Sequence, residues 1–222
     1  MGRMARVVVP GQPHHVTQRG NNRQLIFDSD NDRKKYLLWL TEYSAKFSLT
    51  VVAYCLMDNH IHFVVVPRDK NSLARIFHAV HMRYAQYFNK KMGRAGHLWQ
   101  GRFYSCFLDP VHLVAAVRYV ERNPVRKRII RHPWDWRWSS AAEHTGRAKS
   151  FIKLDNFRQY LDISFNAWEK FIGHDEKPEL LDNIRRHTHT GKSMETGVFI
   201  EEYKKIIKTK NDLLLRPDGR NN

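Results

Sequence analysis

Cysteine is almost absent from this 222-residue chain, which has only Cys55 and Cys106. Two cysteines make no disulfide framework, and without a Cys-x-x-Cys or a second Cys/His group at zinc-finger spacing a structural zinc site is excluded as well. Long apolar runs are also missing. The longest are a few residues, such as Phe63 to Val66, where a membrane-spanning helix needs about 20. The opening MGRMARVVVPGQPHH has no apolar signal core and no lipidation signal, so the chain reads as cytoplasmic and not membrane-bound. Acidic residues are scarce in one region. Residues 1–150 hold 10, with no close group except Asp28-x-Asp30-x-Asp32, which argues against a nuclease built on carboxylate-bound metal pairs.

Hydrophobic residues make up 42% of the chain and charged residues 27%, a globular composition that excludes collagen, coiled-coil rods and wholesale disorder. Lys and Arg number 38 against 22 Asp and Glu, a net charge of +16. The excess is uneven: residues 1–150 carry 25 basic and 10 acidic side chains, residues 151–222 carry 13 and 12. A polyanion belongs to the first part, and nucleic acid is the polyanion such a balance suits. We therefore divide the chain into a domain over 1–150 and an extension over 151–222.

Periodicity orders the elements. His14 to Arg19 reads as a strand ending at the Gly20-Asn21-Asn22 turn, and Tyr36, Leu37, Leu40, Tyr43 and Phe47 mark a helix capped by Asp30 or Asn31. Thr50 to Leu56 and His60 to Val66 form a hairpin around Met57-Asp58-Asn59. A second helix runs from Ser72 to Lys91, a strand from Tyr104 to Leu108, and a third helix from Asp109-Pro110 to Asn123-Pro124. The order strand, helix, strand, strand, helix, strand predicts an α+β, ferredoxin-like split βαβ fold with a central antiparallel sheet and helices on one face. Segments near 155–162, 164–172, 178–187 and 197–208 make the C-terminal tail mostly helical.

Three features can carry chemistry. His60 and His62 point to the same face of their strand and suit a divalent metal, though among 13 histidines such pairs also arise by chance, as His14-His15 does. On the third helix Leu113, Val117 and Val120 form a core stripe, while Tyr119 falls on a flank with His112, Ala115 and Asn123, open either to catalysis or to packing. The loop Gly93 to Phe103 is basic, aromatic and glycine-rich, suited to phosphates and bases or simply to connecting two elements. Its Gly96-x-x-x-x-Gly101 is followed by Arg102-Phe103 in place of Lys-Ser/Thr, so no nucleotide cofactor is inferred.

Four blocks together resemble a known family: Gln18 to Phe27 (QRGNNRQLIF), Met57 to Phe63 (MDNHIHF), Gly96 to Phe103 (GHLWQGRF) and Arg118 to Arg126 (RYVERNPVR). The sequence is similar to the REP-associated tyrosine transposases, a branch of the single-tyrosine transposases with the histidine-hydrophobic-histidine nuclease fold, over residues 1 to about 145. That resemblance implies His60 and His62 as ligands of Mg²⁺ or Mn²⁺, Asn123 at the position of a third ligand where relatives often carry Gln, and Tyr119 as nucleophile. It implies a single-strand DNA endonuclease and strand transferase that acts at palindromic hairpin repeats through a 5′-phosphotyrosine, as a monomer, while other relatives of the fold are dimers. Arg19, Arg23, Arg94, Arg102, Arg122 and Arg126 are expected phosphate contacts, and Trp99 or Phe103 a base-stacking platform. Tyr104 is the alternative nucleophile, and a non-catalytic or domesticated DNA-hairpin-binding protein is the alternative function.

Overall fold

The computed structural model describes residues 7–156, 163–176 and 178–190. The elements follow the predicted order: β1 (His14–Arg19), α1 (Asp30–Lys46), β2 (Leu49–Met57), β3 (His60–Pro67), α2 (Ser72–Lys91), β4 (Tyr104–Phe107) and α3 (Pro110–Glu121). A short α4 (Asn123–Arg126) continues α3 after a break at Arg122, and α5 (Ala141–His144), α6 (Phe165–Gly173) and α7 (Pro178–Thr190) follow. Most of the tail segment predicted near 155–162, that near 197–208, and the stretches Gly191–Phe199 and Arg216–Gly219 lie outside the described residues. Among the described residues, no helix is long and apolar enough to cross a membrane.

The sheet is antiparallel throughout, in the order β2-β3-β1-β4. Each βαβ crossover therefore skips one strand, which is the split βαβ arrangement. Strand alternation sorts side chains between two cores. Val16, Tyr54, Leu56, Ile61, Phe63 and Val65 face α1 and α2, packing with Tyr36, Leu40, Phe77 and Tyr84. A β-bulge between Val51 and Ala53 resets the alternation in β2, so that Ala53, Cys55 and Met57 share the opposite face with Val64 and Val66.

Both crossover helices lie on one face, as predicted, yet the other face is not open. All eight residues of β3 are buried, and a strand apolar on both sides needs cover on both. Helix α3 supplies it, with Trp168, Phe171 and Ile172 of α6 and Ile184 of α7 joining the same core. The expected one-sided stripe of α3 is thereby corrected. Leu113 to Val120 are buried all round, because α6 and α7 cover the flank that a wheel leaves to solvent.

The four blocks that carry the family resemblance interlock. The hairpin tip is strapped by the 20–27 turn, whose Gly20, Ile26 and Phe27 amides donate to Asn59 and Asp58 carbonyls at 2.8–3.1 Å. Arg33 pairs with the Asp58 carboxylate. A Cβ on Gly20 would stand 2.4 Å from the Gln24 carbonyl oxygen, so the close turn requires glycine there. The 96–103 loop then fastens onto this strap through Asn21 N to Leu98 O at 2.8 Å and Gln100 N to Arg19 O at 2.9 Å.

Two expected outcomes concern stability. His81 is buried between Tyr36, whose hydroxyl lies 3.0 Å from its Nε2, and the Trp99 ring at 4.4 Å. Burial, with a neighbouring His78, pulls its pKa down to about 3 from 6.5. The folded protein keeps this ring neutral while the unfolded chain protonates it, so stability is level above about pH 6.5 and falls as the pH drops from there toward about 3. Between about pH 7.5 and pH 5 this one group removes about 2 kcal/mol. His81→Gln should flatten the pH dependence of the urea midpoint by that amount, and an unaltered slope would place the acid sensitivity elsewhere.

The second concerns the tail. Arg118, Arg122 and Arg126 lie four apart on one side of α3 and α4 and grip the segment before α7. Arg118 donates to the His174 and Asp175 carbonyls, Arg122 to Ile172 O, Asp175 and Glu176, and Arg126 to Glu176 at 2.7 Å. Arg122 and Glu176 side chains are 3% and 4% exposed, so removing one strands the other. Arg122→Ala should cost on the order of 3 kcal/mol, read as a lowered denaturation midpoint with earlier tryptic cleavage within residues 172–190; cleavage there at the parental rate would contradict the clamp.

Candidate active site

His60, His62, Tyr119 and Asn123 converge on a cavity of about 440 Å³ at the end of the sheet where β1 and β3 meet α3. His60 and His62 stand on the α3 side of β3, ring centroids 5.0 Å apart and nearly perpendicular. Each has one ring nitrogen engaged by a neighbouring side chain: His60 Nδ1 bonds Asn59 Oδ1 at 2.6 Å, and His62 Nδ1 lies 3.0 Å from His15 Nε2. Asn123, at the start of α4, hydrogen-bonds to the His60 ring. Burial pushes the His60 pKa down to about 3, with Arg19 and Lys127 adding to the effect. Burial, then His60 and His15, hold His62 well below its ordinary value. Both imidazoles are therefore neutral at neutral pH, with lone pairs to offer.

Tyr119 reaches the same space from α3. Its ring meets His62 edge to face at 5.5 Å and His15 at 5.9 Å, and only 8% of the residue is exposed. The Arg126 guanidinium lies 4.1 Å over the tyrosine ring and donates to its carbonyl. Arg185 of α7 lines the same cavity as Tyr119 and pairs with Asp182 at 2.9 Å. Tyr104 lines the cavity from β4, 39% exposed.

The rim is cationic. Arg19, Arg102, Arg126, Lys127 and Arg185 all border the opening. The 96–103 loop delivers Gln100, Gly101 and Arg102 to it, held by Gln18 Nε2 donating to Gly101 O at 3.0 Å. Other residues marked in the sequence lie elsewhere. Arg122 is committed to the tail clamp. Arg23 is exposed in the hairpin strap, and Arg94 covers Phe88 at 5.0 Å. Phe103 packs in the core 5.1 Å from Phe77, and Trp99 leans on His81 with its indole N–H on the His81 carbonyl. His112 is held at the start of α3 by Asp109, at 2.6 Å, and does not border the cavity.

Sequence reasoning missed His15, Lys127 and Arg185. The period-two alternation of β1 could have found His15, since it shares a face with Thr17 and Arg19 opposite Val16. Lys127 sits in a basic run already noted. Nothing local marks Arg185, which comes from a helix 66 positions beyond the tyrosine.

As a donor set the site offers two neutral imidazoles and one amide. Among the described residues no group of three or more His, Cys, Asp and Glu side chains assembles into a metal cage. An ion held here would thus take the rest of its shell from outside the protein.

A search of the curated proteins finds no match. Among solved structures, the fold is similar to that of a REP-associated tyrosine transposase bound to a REP hairpin, with a TM-score of 0.53 and 16% identity over 70% of this chain and 93% of that one. A protein of Deinococcus radiodurans crystallised as a candidate transposase also matches, at a TM-score of 0.37 and 16% identity over 58% and 92% of the two chains. The sequence model of the family described as "Transposase IS200 like" matches residues 9–123, a span that ends on Asn123 and includes both histidines of β3 and Tyr119. More than half of the chain falls within that match, and the protein belongs to the IS200-like transposase family.

Proposed function

We propose that this protein is a divalent-metal-dependent single-strand DNA endonuclease and strand transferase, which cleaves and rejoins DNA at palindromic hairpin repeats through a phosphotyrosine at Tyr119. The observation that carries the reading is the placement of Tyr119 at 5.5 Å from His62, in one cavity with His60 and Asn123 and a rim of cations. The similar fold of a transposase bound to a REP hairpin supports the choice of DNA and of hairpin ends. All these groups come from one chain, which supports action as a monomer.

His60 and His62 through Nε2, with Asn123, would hold Mg²⁺ or Mn²⁺, and the ion when bound supplies Lewis-acid polarisation of the scissile phosphate. Their neutral state and engaged Nδ1 atoms fit that role. Arg19, Arg102 and Lys127 neutralise the incoming backbone, and Arg126 keeps the phenol ring in place by lying over its face. The Tyr119 oxygen forms a bond to phosphorus as the bond to the 3′ oxygen breaks. In the net balance the phenolic proton ends on the released 3′-hydroxyl, and Arg185 adds a further cation to the rim that faces the phosphate. The 5′-phosphotyrosine conserves the phosphodiester energy, so a later 3′-hydroxyl attack reseals DNA without ATP.

Labelled single-stranded hairpins drawn from repeats beside the protein's own coding region, incubated with Mn²⁺ or EDTA, should give a metal-dependent covalent adduct on a denaturing gel. Tyr119→Phe should lose the adduct entirely and bind the hairpin within a few-fold of the parent. Adduct persisting in that variant would move the nucleophile to Tyr104, and binding with no adduct in any condition would identify a DNA-hairpin-binding protein without strand transfer. Affinity should also fall steeply with salt, and Lys127→Ala should reduce the log-log slope by about 0.7, the value of one phosphate on a single strand.

A further inference from the structure

His15 is used by nothing in the mechanism so far, yet it is 1% exposed and in direct contact with the centre of the site. On β1 it pairs in register with Val64, so His62 is its diagonal neighbour across the strands. The two rings are close to coplanar, at 12°, with centroids 5.2 Å apart and Nε2 of His15 3.0 Å from Nδ1 of His62. That combination brings the rings edge to edge along an N–H···N bond, rather than face to face. The Tyr119 ring packs edge-on to both, 5.9 Å from His15 and 5.5 Å from His62.

A neutral imidazole has one N–H and one lone pair, and which nitrogen holds the proton is set by the bond the ring makes. For His60 the choice is made by Asn59, whose Oδ1 can only accept, so the proton sits on Nδ1 and the lone pair on Nε2. Among the described residues, His62 has no carbonyl or carboxylate bonded at its Nδ1. It has His15. Nδ1 being occupied, Nε2 is the nitrogen left to the cavity, and it offers a lone pair only if Nδ1 carries the proton and His15 Nε2 accepts it.

We propose that His15 is a positioning residue, the hydrogen-bond acceptor that holds His62 in the Nδ1–H tautomer with its Nε2 lone pair turned to the cation site, as Asn59 does for His60. This inference rests on the metal-binding reading given above. Outer partners of ligating histidines fix ring rotation as well as tautomer, and their loss costs about 10- to 100-fold in metal affinity.

The test uses the full chain and Mn²⁺ alone, with free ion followed by electron paramagnetic resonance. His15→Phe keeps a ring of similar shape without a nitrogen and should weaken Mn²⁺ binding about 10- to 100-fold. His15→Gln, which can place an amide oxygen near the lost Nε2, should recover most of that loss. In the metal-free parent, ¹⁵N spectra should show His62 protonated at Nδ1 with a coupling across the bond to His15 Nε2. Spectra with the His62 proton on Nε2 would overturn the proposal, even where a variant fails to fold. So would unaltered Mn²⁺ affinity in His15→Phe alongside a loss in His62→Ala. If His62→Ala itself binds Mn²⁺ as the parent does, the metal reading fails, whereas the ¹⁵N result still decides whether His15 accepts from His62.

Discussion

A carboxylate with no access to solvent fixes the position of the tyrosine helix. Glu121 lies two residues beyond Tyr119 and is fully buried, and three donors from α5, its N-cap and α6 converge on it: Ser140 Oγ at 2.6 Å, His144 Nδ1 at 2.6 Å and Trp168 Nε1 at 2.9 Å. An unpartnered buried carboxylate is costly enough that α3 cannot rotate or slide without breaking this set. Since successive helical residues are about 100° apart, holding Glu121 toward α5 and α6 also holds Tyr119 toward β1 and β3. Tyr119 is thus aimed into the cavity by an interaction on another side of its own helix. Ser140 completes the link back to the sheet, since its amide donates to Tyr54 O and its hydroxyl accepts from Tyr54 N.

The charge of this protein serves two ends that its composition does not separate. Of the arginines in the RYVERNPVR block, Arg118 and Arg122 are buried and bound to the segment 172–176, where carbonyls and the Asp175 and Glu176 carboxylates receive them. Arg126 divides its guanidinium between Glu176 and the Tyr119 carbonyl. These cations hold the segment between α6 and α7 against α3 and α4, which in turn brings Arg185 to the cavity that Tyr119 lines. The cations on the rim are Arg19, Arg102, Lys127, Arg185 and, in part, Arg126. A long-range field counts every one of these charges, while contact with a polyanion falls to the smaller set.

The fold was legible because its signals are local. Strand alternation in β3, the apolar period of α2 and the turn residues of the hairpin are each decided within a few positions, and the helix Ser72–Lys91 runs between the residues read from the sequence. The bare facts of the site were legible for the same reason: His60 and His62 share a face by alternation, and Asn123 follows Tyr119 by one helical turn. What the sequence hid was set by distant partners. The commitment of Arg122 depends on acids more than 50 positions away, and the burial of α3 on all sides depends on helices after residue 163. Trp99 and Phe103 suit base stacking by their place in a basic loop, and Trp99 suits the core equally; the loop turns its apolar side inward against His81 and Phe77.

The electrostatics of the cavity connect its two halves. Imidazoles in an open, acidic site would gain protons and lose the lone pairs that bind a metal. Here burial is the first cause of their neutrality, and for His60 the next are Arg19 and Lys127, which are also the groups at the mouth. A cationic rim that draws a phosphate backbone therefore also disfavours a proton on the ring beneath it. Two further neutral groups, Asn59 and Asn123, satisfy His60 without bringing in a negative charge. A carboxylate in either place would favour the imidazolium and oppose the approach of a phosphate. The scarcity of acidic residues in the first 150 positions thus suits the site, and the carboxylates that meet its arginines are engaged, Glu176 by Arg122 and Arg126 and Asp182 by Arg185.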